Sequence, residues 1–434
     1  MKAGEWCVLL AVVFVSVGLV ACSDDEAANS NKDPSGSGYS GAFESPIPAQ
    51  WTKVDWKDHY PDFTFNDLSP SCTHCPMDDC ESQFYFFAKG GRLNNLVVYF
   101  EGGGACWKTM NCIYYSTTNT GVRATFDSLS ETDGIGAVDN PDNPFRDWNI
   151  VYIPYCTGDV HSGAKDYDYP DDLGFHLLPD FDHFRIRHRG KVNFRVVLQW
   201  IQDTFTTAPD KIFVTGSSAG AYGALLNFPD IRDAYPSSAA YCLPDAGNGI
   251  MPDSDALFKD LAQAQWNIQL PWQVEGFVEG TNDFTGFTSG ELVAAIANHY
   301  PDAVVAPYTA AWDHNQIFFY WAMLNLDYVT LMLSGVDYWK DVDATAVEWN
   351  RKMKEVREDA MEHNTEGNIR YYISPGCNHT IMGSPKFYEE VTDGYTMAEW
   401  INQMLESGWS GLPSVECTDC GMKPDYPSVR ESCD

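Results

Sequence analysis

The stretch Val214–Gly223, VTGSSAGAYG, sets two adjacent serines between glycines. Only Ser218 has glycine at both minus two and plus two, Gly216 and Gly220. Ser217 would need glycine where Thr215 and Ala219 stand. A serine nucleophile on a sharp strand-to-helix turn sits in strained backbone, and its neighbours must lack bulk for the chain to turn. The apolar run KIFVT before the pair and the helix-forming AYGALLN after it supply that context. The same letters also describe a plain glycine-rich turn, so the rest of the chain has to decide. Ser217 is the small neighbour that such a turn tolerates.

An acyl-transfer site needs donors for an oxyanion, a base for the hydroxyl, and a carboxylate to orient the base. The segment FEGGGACW, Phe100–Trp107, follows an early apolar run. Gly102 and Gly103 there expose backbone N–H groups without side-chain obstruction, and the N–H of Ala219 would be the second arm. A phosphate loop is excluded, because no Lys-Ser/Thr follows the glycines. After Ser218 the histidines are His299, His314, His363 and His379. His299 and His363 lie in polar helical contexts. His379, in SPGCNHT, lies just past a strand candidate, where a loop would deliver it to a sheet edge. Two carboxylates compete. Asp313 in YTAAWDHNQ and Asp245 in CLPDAG each follow a strand candidate. The residues alone leave them even.

These groups need a frame. Residues 96–100, 149–154, 211–215, 238–243, 303–308 and 369–374 read as strands, and 190–205 and the segment from Ala221 as helices. Residues 250–300 and 317–365 read as helical insertions between late strands. Buried strands alternating with helices predict an α/β fold with a mostly parallel sheet. No repeat and no composition break divides the chain, so 46–434 is expected to be one catalytic domain.

The chain has 434 residues with 44% hydrophobic and 14% aromatic content, enough for a sizeable core. It carries 27 basic against 61 acidic side chains, a net charge of −34. That surface repels nucleic acid, which excludes it as a partner. Residues 1–22 read as an export signal. Lys2 precedes an apolar run, and the run ends in LVAC, which resembles a bacterial lipobox with Cys22 as the lipidated residue and a membrane anchor. Residues 23–45 are small and polar, and read as a flexible linker. With Cys7 and Cys22 set aside, an odd number of cysteines remains, so one thiol is expected to be free. In an exported protein the rest pair as disulfides. Cys72, His74, Cys75 and Cys80 could alternatively ligate zinc. Cys417, Cys420 and Cys433 match the first cluster in number, which would staple the two ends of the domain together.

The set YFEGGGACW, IPYCTGDVHSG, HRGKVNFRVVLQW, VTGSSAGAYGALLN, CLPDAG, WDHNQ and PGCNHT resembles the pectin acetylesterase / Notum family of carboxylesterases, from about Trp51 to about Trp409. The resemblance implies an α/β-hydrolase-like fold and a triad of Ser218, Asp313 and His379. It puts Asp313 with Gln316 in a D-x-x-Q motif, and so favours Asp313 over Asp245. It puts Gly102, Gly103 and Ala219 at the oxyanion, and Asp159 and His161 in the site outside the triad. Trp107 and Gln316 join them as expected pocket residues. No cofactor and no metal is called for. The implied reaction removes an acyl group, acetyl by default, from an exported or extracellular ester such as an acylated polysaccharide. A Notum-like long-acyl deacylase, a serine peptidase on the same fold and a catalytically silent glycan-binding surface lipoprotein are the alternatives. The cysteines near His379 and the Cys72–Cys80 cluster depart from the family pattern, so acyl and alcohol specificity are not carried over. Two stretches stay open. HFRIRHRGK (183–191) is either a basic patch for an acidic polysaccharide or a solvated helix start. IFFYWAMLNLDYVTLML (317–333) either walls an acyl pocket or is a buried helix beside Asp313.

Overall fold

The computed structural model describes residues 43–73, 84–114, 129–170, 183–252, 263–274, 288–335, 338–418 and 420–421. The export signal with Cys22, most of the linker, and His74, Cys75, Cys80 and Cys433 lie outside the described residues, as do parts of the 250–300 insertion. Residues 43–434 form one compact unit.

Its centre is a ten-stranded sheet. In chain order the strands are β1 (Thr52–Val54), β2 (Phe86–Lys89), β3 (Asn95–Phe100) and β4 (Asn149–Ile153). After β5 (Lys165–Pro170) and β6 (His183–His188), which form a separate two-stranded sheet, come β7 (Lys211–Ser217), β8 (Ala239–Asp245), β9 (Val304–Val305), β10 (Tyr308–Ala310), β11 (Tyr372–Ser374) and β12 (Val415–Glu416). The spatial order is β1-β2-β4-β3-β7-β8-β10-β11-β12, with β9 on β8. Every pairing from β4 to β12 is parallel; β1 and β2 run antiparallel at one edge. This is an α/β-hydrolase-like architecture. The central strands are covered on both faces, which is why LVVYF, KIFVT and AAYCL read as near-continuous apolar runs. One core holds Val98, Phe100, Val214 and Cys242 under the helices Gly190–Thr204 and Ala219–Ala234. The other holds Val97, Tyr99, Phe213 and Leu243 under the helix Met397–Ser407.

The late strands are shorter than the sequence pattern predicts. The 303–308 run divides into β9 and β10 around Ala306-Pro307, where proline has no N–H to give the ladder. The 369–374 run keeps only β11, with Ile369 as an isolated bridge to Val305. HFRIRH is a strand, not a helix start, and three of the four Arg and Lys cations of the HFRIRHRGK stretch are matched. Arg185 pairs with Asp168, Arg189 with Asp166, and Lys191 with Asp230. Those three charges are therefore not free to make a basic patch.

Cys72 bonds Cys156 and Cys417 bonds Cys420, so these residues do not staple the two ends together. The first bond also removes Cys72 as a zinc ligand. Cys106 bonds Cys112, and among the described residues Cys242 is the free cysteine, buried.

Candidate active site

Loops leaving the carboxyl ends of β3, β7, β8, β10 and β11 converge at one sheet edge, the usual ligand side of an open parallel sheet. Ser218 follows β7 directly, at φ 57° and ψ −119°, and the helix Ala219–Ala234 starts at the next residue. Left-handed φ on a non-glycine residue is costly and persists only where neighbours over-determine it. The glycines meet a packing demand. A Cβ on Gly220 would sit 2.0 Å from the Phe100 carbonyl oxygen, and one on Gly102 would sit 2.5 Å from the Ser217 carbonyl oxygen. The turn can approach the loop after β3 this closely only with hydrogens at both sites.

Ser217 is spent on structure. Its hydroxyl donates to Asp245 Oδ2 at 2.6 Å and takes a hydrogen bond from Tyr99 OH at 2.8 Å. With its proton committed to a carboxylate, it has none to spare for a base.

Asp313 is fully buried at the N-terminus of the helix His314–Leu324. His379 Nδ1–H reaches its two carboxylate oxygens at 2.9 and 3.0 Å. Gln316 accounts for the second half of the D-x-x-Q motif. Its backbone N–H donates to Asp313 Oδ1 at 2.9 Å, and its Nε2 donates to Oδ2 at 2.9 Å and to Thr309 at 3.0 Å. Its Oε1 accepts from the Asn248 N–H at 3.1 Å. The carboxylate therefore has two donors besides the imidazole, which fix its plane.

Asp159 and His161 stand behind the Gly102–Gly104 loop rather than in the cavity, which corrects their expected position. Burial lowers the His161 pKa to about 4, so the ring is neutral, and its Nε2–H donates to the Glu101 carbonyl at 2.8 Å. Asp159 accepts from Thr157 Oγ1 at 2.6 Å, the Gly190 N–H at 2.7 Å and the His161 N–H at 3.2 Å. Burial nonetheless raises its pKa to about 6. Tyr155 adds a second brace, its hydroxyl donating to the Gly104 carbonyl at 2.9 Å while its N–H donates to Glu101 Oε2 at 2.7 Å. Sequence reasoning missed Tyr155 and Glu101. Only a contact across some fifty residues of chain reveals them, and nothing local marks it.

Ser218, Ala219, Gln316 and His379 open on one cavity of about 560 Å³. Its walls are chiefly apolar, with Trp107, Leu225, Trp266, Phe319 and Trp349 among them. Gly104 and Ala105 line it as well, whereas Gly102 and Gly103 are partly exposed and outside its lining. The helix His314–Leu324 turns Gln316, Phe319 and Met323 to the cavity and buries Ile317, Tyr320 and Trp321 in the core. Both readings of the aromatic stretch thus apply to it, on different faces.

Residues 69–264 match the family model described as Pectinacetylesterase. The similarity to the pectinacetylesterase family thus covers a little under half of the chain. Similar proteins include pectin acetylesterase 4 of Arabidopsis thaliana, 27% identical over 167 residues, which are 38% of this chain and 38% of that one. Palmitoleoyl-protein carboxylesterase NOTUM of Mus musculus is 26% identical over 183 residues, 40% of this chain and 34% of that one. The chain thus spans well under half the length of the curated relatives it matches. The matched segment contains the Gly102–Gly104 loop, Ser218 and Asp245. Asp313, Gln316 and His379 lie beyond it, and their grouping rests on the contacts described above.

Proposed function

We propose that the chain is a serine carboxylesterase in which Ser218 attacks an ester carbonyl, His379 moves the proton and Asp313 orients His379. The observation that carries this reading is the buried Asp313–His379 pair, opening on the same cavity as a serine held at left-handed φ. With Nδ1 engaged by Asp313, Nε2 is the nitrogen that takes the Ser218 proton. As the Oγ–C bond forms, carbonyl charge moves to oxygen, where the Ala219 N–H and N–H groups of the Gly102–Gly104 loop receive it. The alcohol leaves with the proton from His379, an acyl-enzyme remains, and water repeats the sequence to release the acid. The relatives' names, and the enzyme class they share, support an ester-bearing substrate, with an acylated polysaccharide as the first candidate. The disulfides support an exported, oxidising setting, with Cys22 as the proposed lipid anchor.

The cavity favours a second reading for the acyl group. Ligand cavities of about 300–1,000 Å³ hold drug-sized molecules, and the present one falls in that range with apolar walls. An acetyl group leaves most of such a space unfilled, whereas a long acyl chain buries apolar surface throughout it. The net charge of −34 also opposes encounter with a polyuronate.

Ser218→Ala tests the core of the reading. Release of p-nitrophenol from its acetate ester should vanish while the circular dichroism spectrum is unchanged; full turnover in the variant would refute a Ser218 nucleophile. A series of p-nitrophenyl esters from acetate to palmitate tests the acyl group. A kcat/KM that climbs with chain length supports the long-acyl reading, and one that peaks at acetate removes it. Steady hydrolysis of these esters without cleavage of peptide substrates excludes the peptidase alternative.

A further inference from the structure

We propose that Asp245 is a positioning residue, a buried carboxylate that locks the nucleophile turn to the histidine loop; the proposal rests on the esterase reading above. The residue ends β8 and is fully buried. Its side chain accepts three donors. The Ile381 N–H lies 3.0 and 3.1 Å from its two oxygens, the Met382 N–H lies 3.0 Å from Oδ2, and the Ser217 hydroxyl lies 2.6 Å from Oδ2. Its own backbone carbonyl accepts the Ser218 N–H at 2.8 Å. One residue thus holds the amide of the nucleophile, the side chain just before it, and the two amides that lie two and three positions after His379.

Backbone conformation gives the contacts their purpose. Ser218 (φ 57°), Ala246 (φ 61°) and Thr380 (φ 67°) are all non-glycine residues in the left-handed region. Each is adjacent in sequence to Asp245 or to a group it binds. Such residues revert to ordinary backbone unless bonds over-determine them. Asp245 is the common point of those bonds. Relaxation at Ser218 would move the nucleophile, and relaxation at Thr380 would swing the imidazole. Displacements of this size at reacting groups are costly in rate.

Both oxygens act as acceptors, Oδ1 for the Ile381 N–H and Oδ2 for all three donors, as those of a bare carboxylate do. Asparagine, of the same shape, must turn its NH₂ either toward the Ile381 N–H, in the place of Oδ1, or toward the Met382 N–H and the Ser217 hydroxyl, in the place of Oδ2. A partner left unsatisfied in a buried site carries the full desolvation penalty.

The experiment uses the full chain. Asp245→Asn is assayed on a p-nitrophenyl ester with active sites counted by fluorophosphonate titration, so that misfolded protein does not enter kcat. Expected is a kcat per titrated site lower by roughly 10- to 100-fold with KM changed by less than about threefold. Hydrogen exchange at Ile381 and Met382 should be faster than in the wild type, while the β3 and β7 amides keep their protection. A residue that only stabilises the fold would lower the number of titrated sites and leave kcat per site intact; that result overturns the proposal. If Asp245→Asn does not fold, Ser217→Ala carries the test, with kcat per site reduced severalfold and unchanged turnover as the refuting result. If the wild type hydrolyses no ester, the esterase reading fails instead. The exchange measurement then still decides whether Asp245 holds the 380–382 loop: protection unchanged in Asp245→Asn overturns it.

Discussion

Asp245 and Asp313 stand at the ends of neighbouring parallel strands, both fully buried, and each was a credible triad acid from its local sequence. Their partners differ in kind. Asp313 faces an imidazole carried on another loop, which a proton transfer can recharge, and a glutamine side chain of the helix it caps. Asp245 faces two backbone amides and a serine hydroxyl, which hold a chain path and change no charge. Burial pushes the Asp245 pKa up to about 6 despite those donors. The lesson is that a buried carboxylate takes its role from the mobility and titration of what it binds. Position at a strand end does not assign it.

Four variants would break or sharpen this contrast. The largest effect is expected from Asp313→Asn, which leaves the imidazole without its acceptor and favours the wrong tautomer. A fall in kcat of about 10⁴ is expected with little change in KM, read from steady-state kinetics on an activated ester. Should Asp245→Asn prove the more damaging of the two, the assignment of roles is reversed. Next comes Gln316→Leu, which removes a donor from Asp313 and an acceptor from the Asn248 N–H. A loss of roughly 10- to 100-fold in kcat/KM follows from leaving buried groups unpaired. A variant indistinguishable from wild type would mean that Asp313 needs no such brace.

The smallest effect is on stability against pH. His161 has a folded pKa of about 4, below the ordinary 6.5, so on acidification from 6.5 to 4 the unfolded chain takes up a proton and the folded one does not. Stability is lost over that window. Asp245 works in the opposite sense. Its folded pKa of about 6 lies above 3.8, so the folded chain takes up the proton first, and acidification from 6 to 3.8 adds stability. Urea midpoints at several pH values should therefore fall less steeply toward acid in His161→Asn than in the wild type, by an amount on the order of 1–3 kcal/mol. In Asp245→Asn they should fall more steeply. Parallel curves for all three proteins would contradict the burial of both groups in these charge states.

Much of the frame was legible because its signals are local. Apolar runs of strand length marked β3, β4, β7 and β8. The glycines at 216 and 220 singled out Ser218 over Ser217, and steric demand in the folded turn agrees with that preference. The β5–β6 hairpin was not legible, because its charges alternate with apolar residues in a pattern that a helix start also fits. Pro307 divided a predicted strand, a local signal that the periodicity alone had masked. The cysteine count foresaw a free thiol, yet could not name Cys156 as the partner of Cys72, since pairing depends on how loops far apart in sequence are brought together.

By itself the sequence determined the sheet's parallel strands, the turn at Ser218 and a short list of acids and bases. These follow from side-chain volume, periodicity and backbone freedom within a few residues. The resemblance favoured Asp313 over Asp245, but only the tertiary structure showed what each carboxylate binds, set Asp159 and His161 behind the Gly102–Gly104 loop, and opened a large apolar cavity in front of the serine. Each of these is a matter of which groups meet across long stretches of chain. A carboxylate's chemistry is decided by its donors, and those arrive only when the strands are side by side.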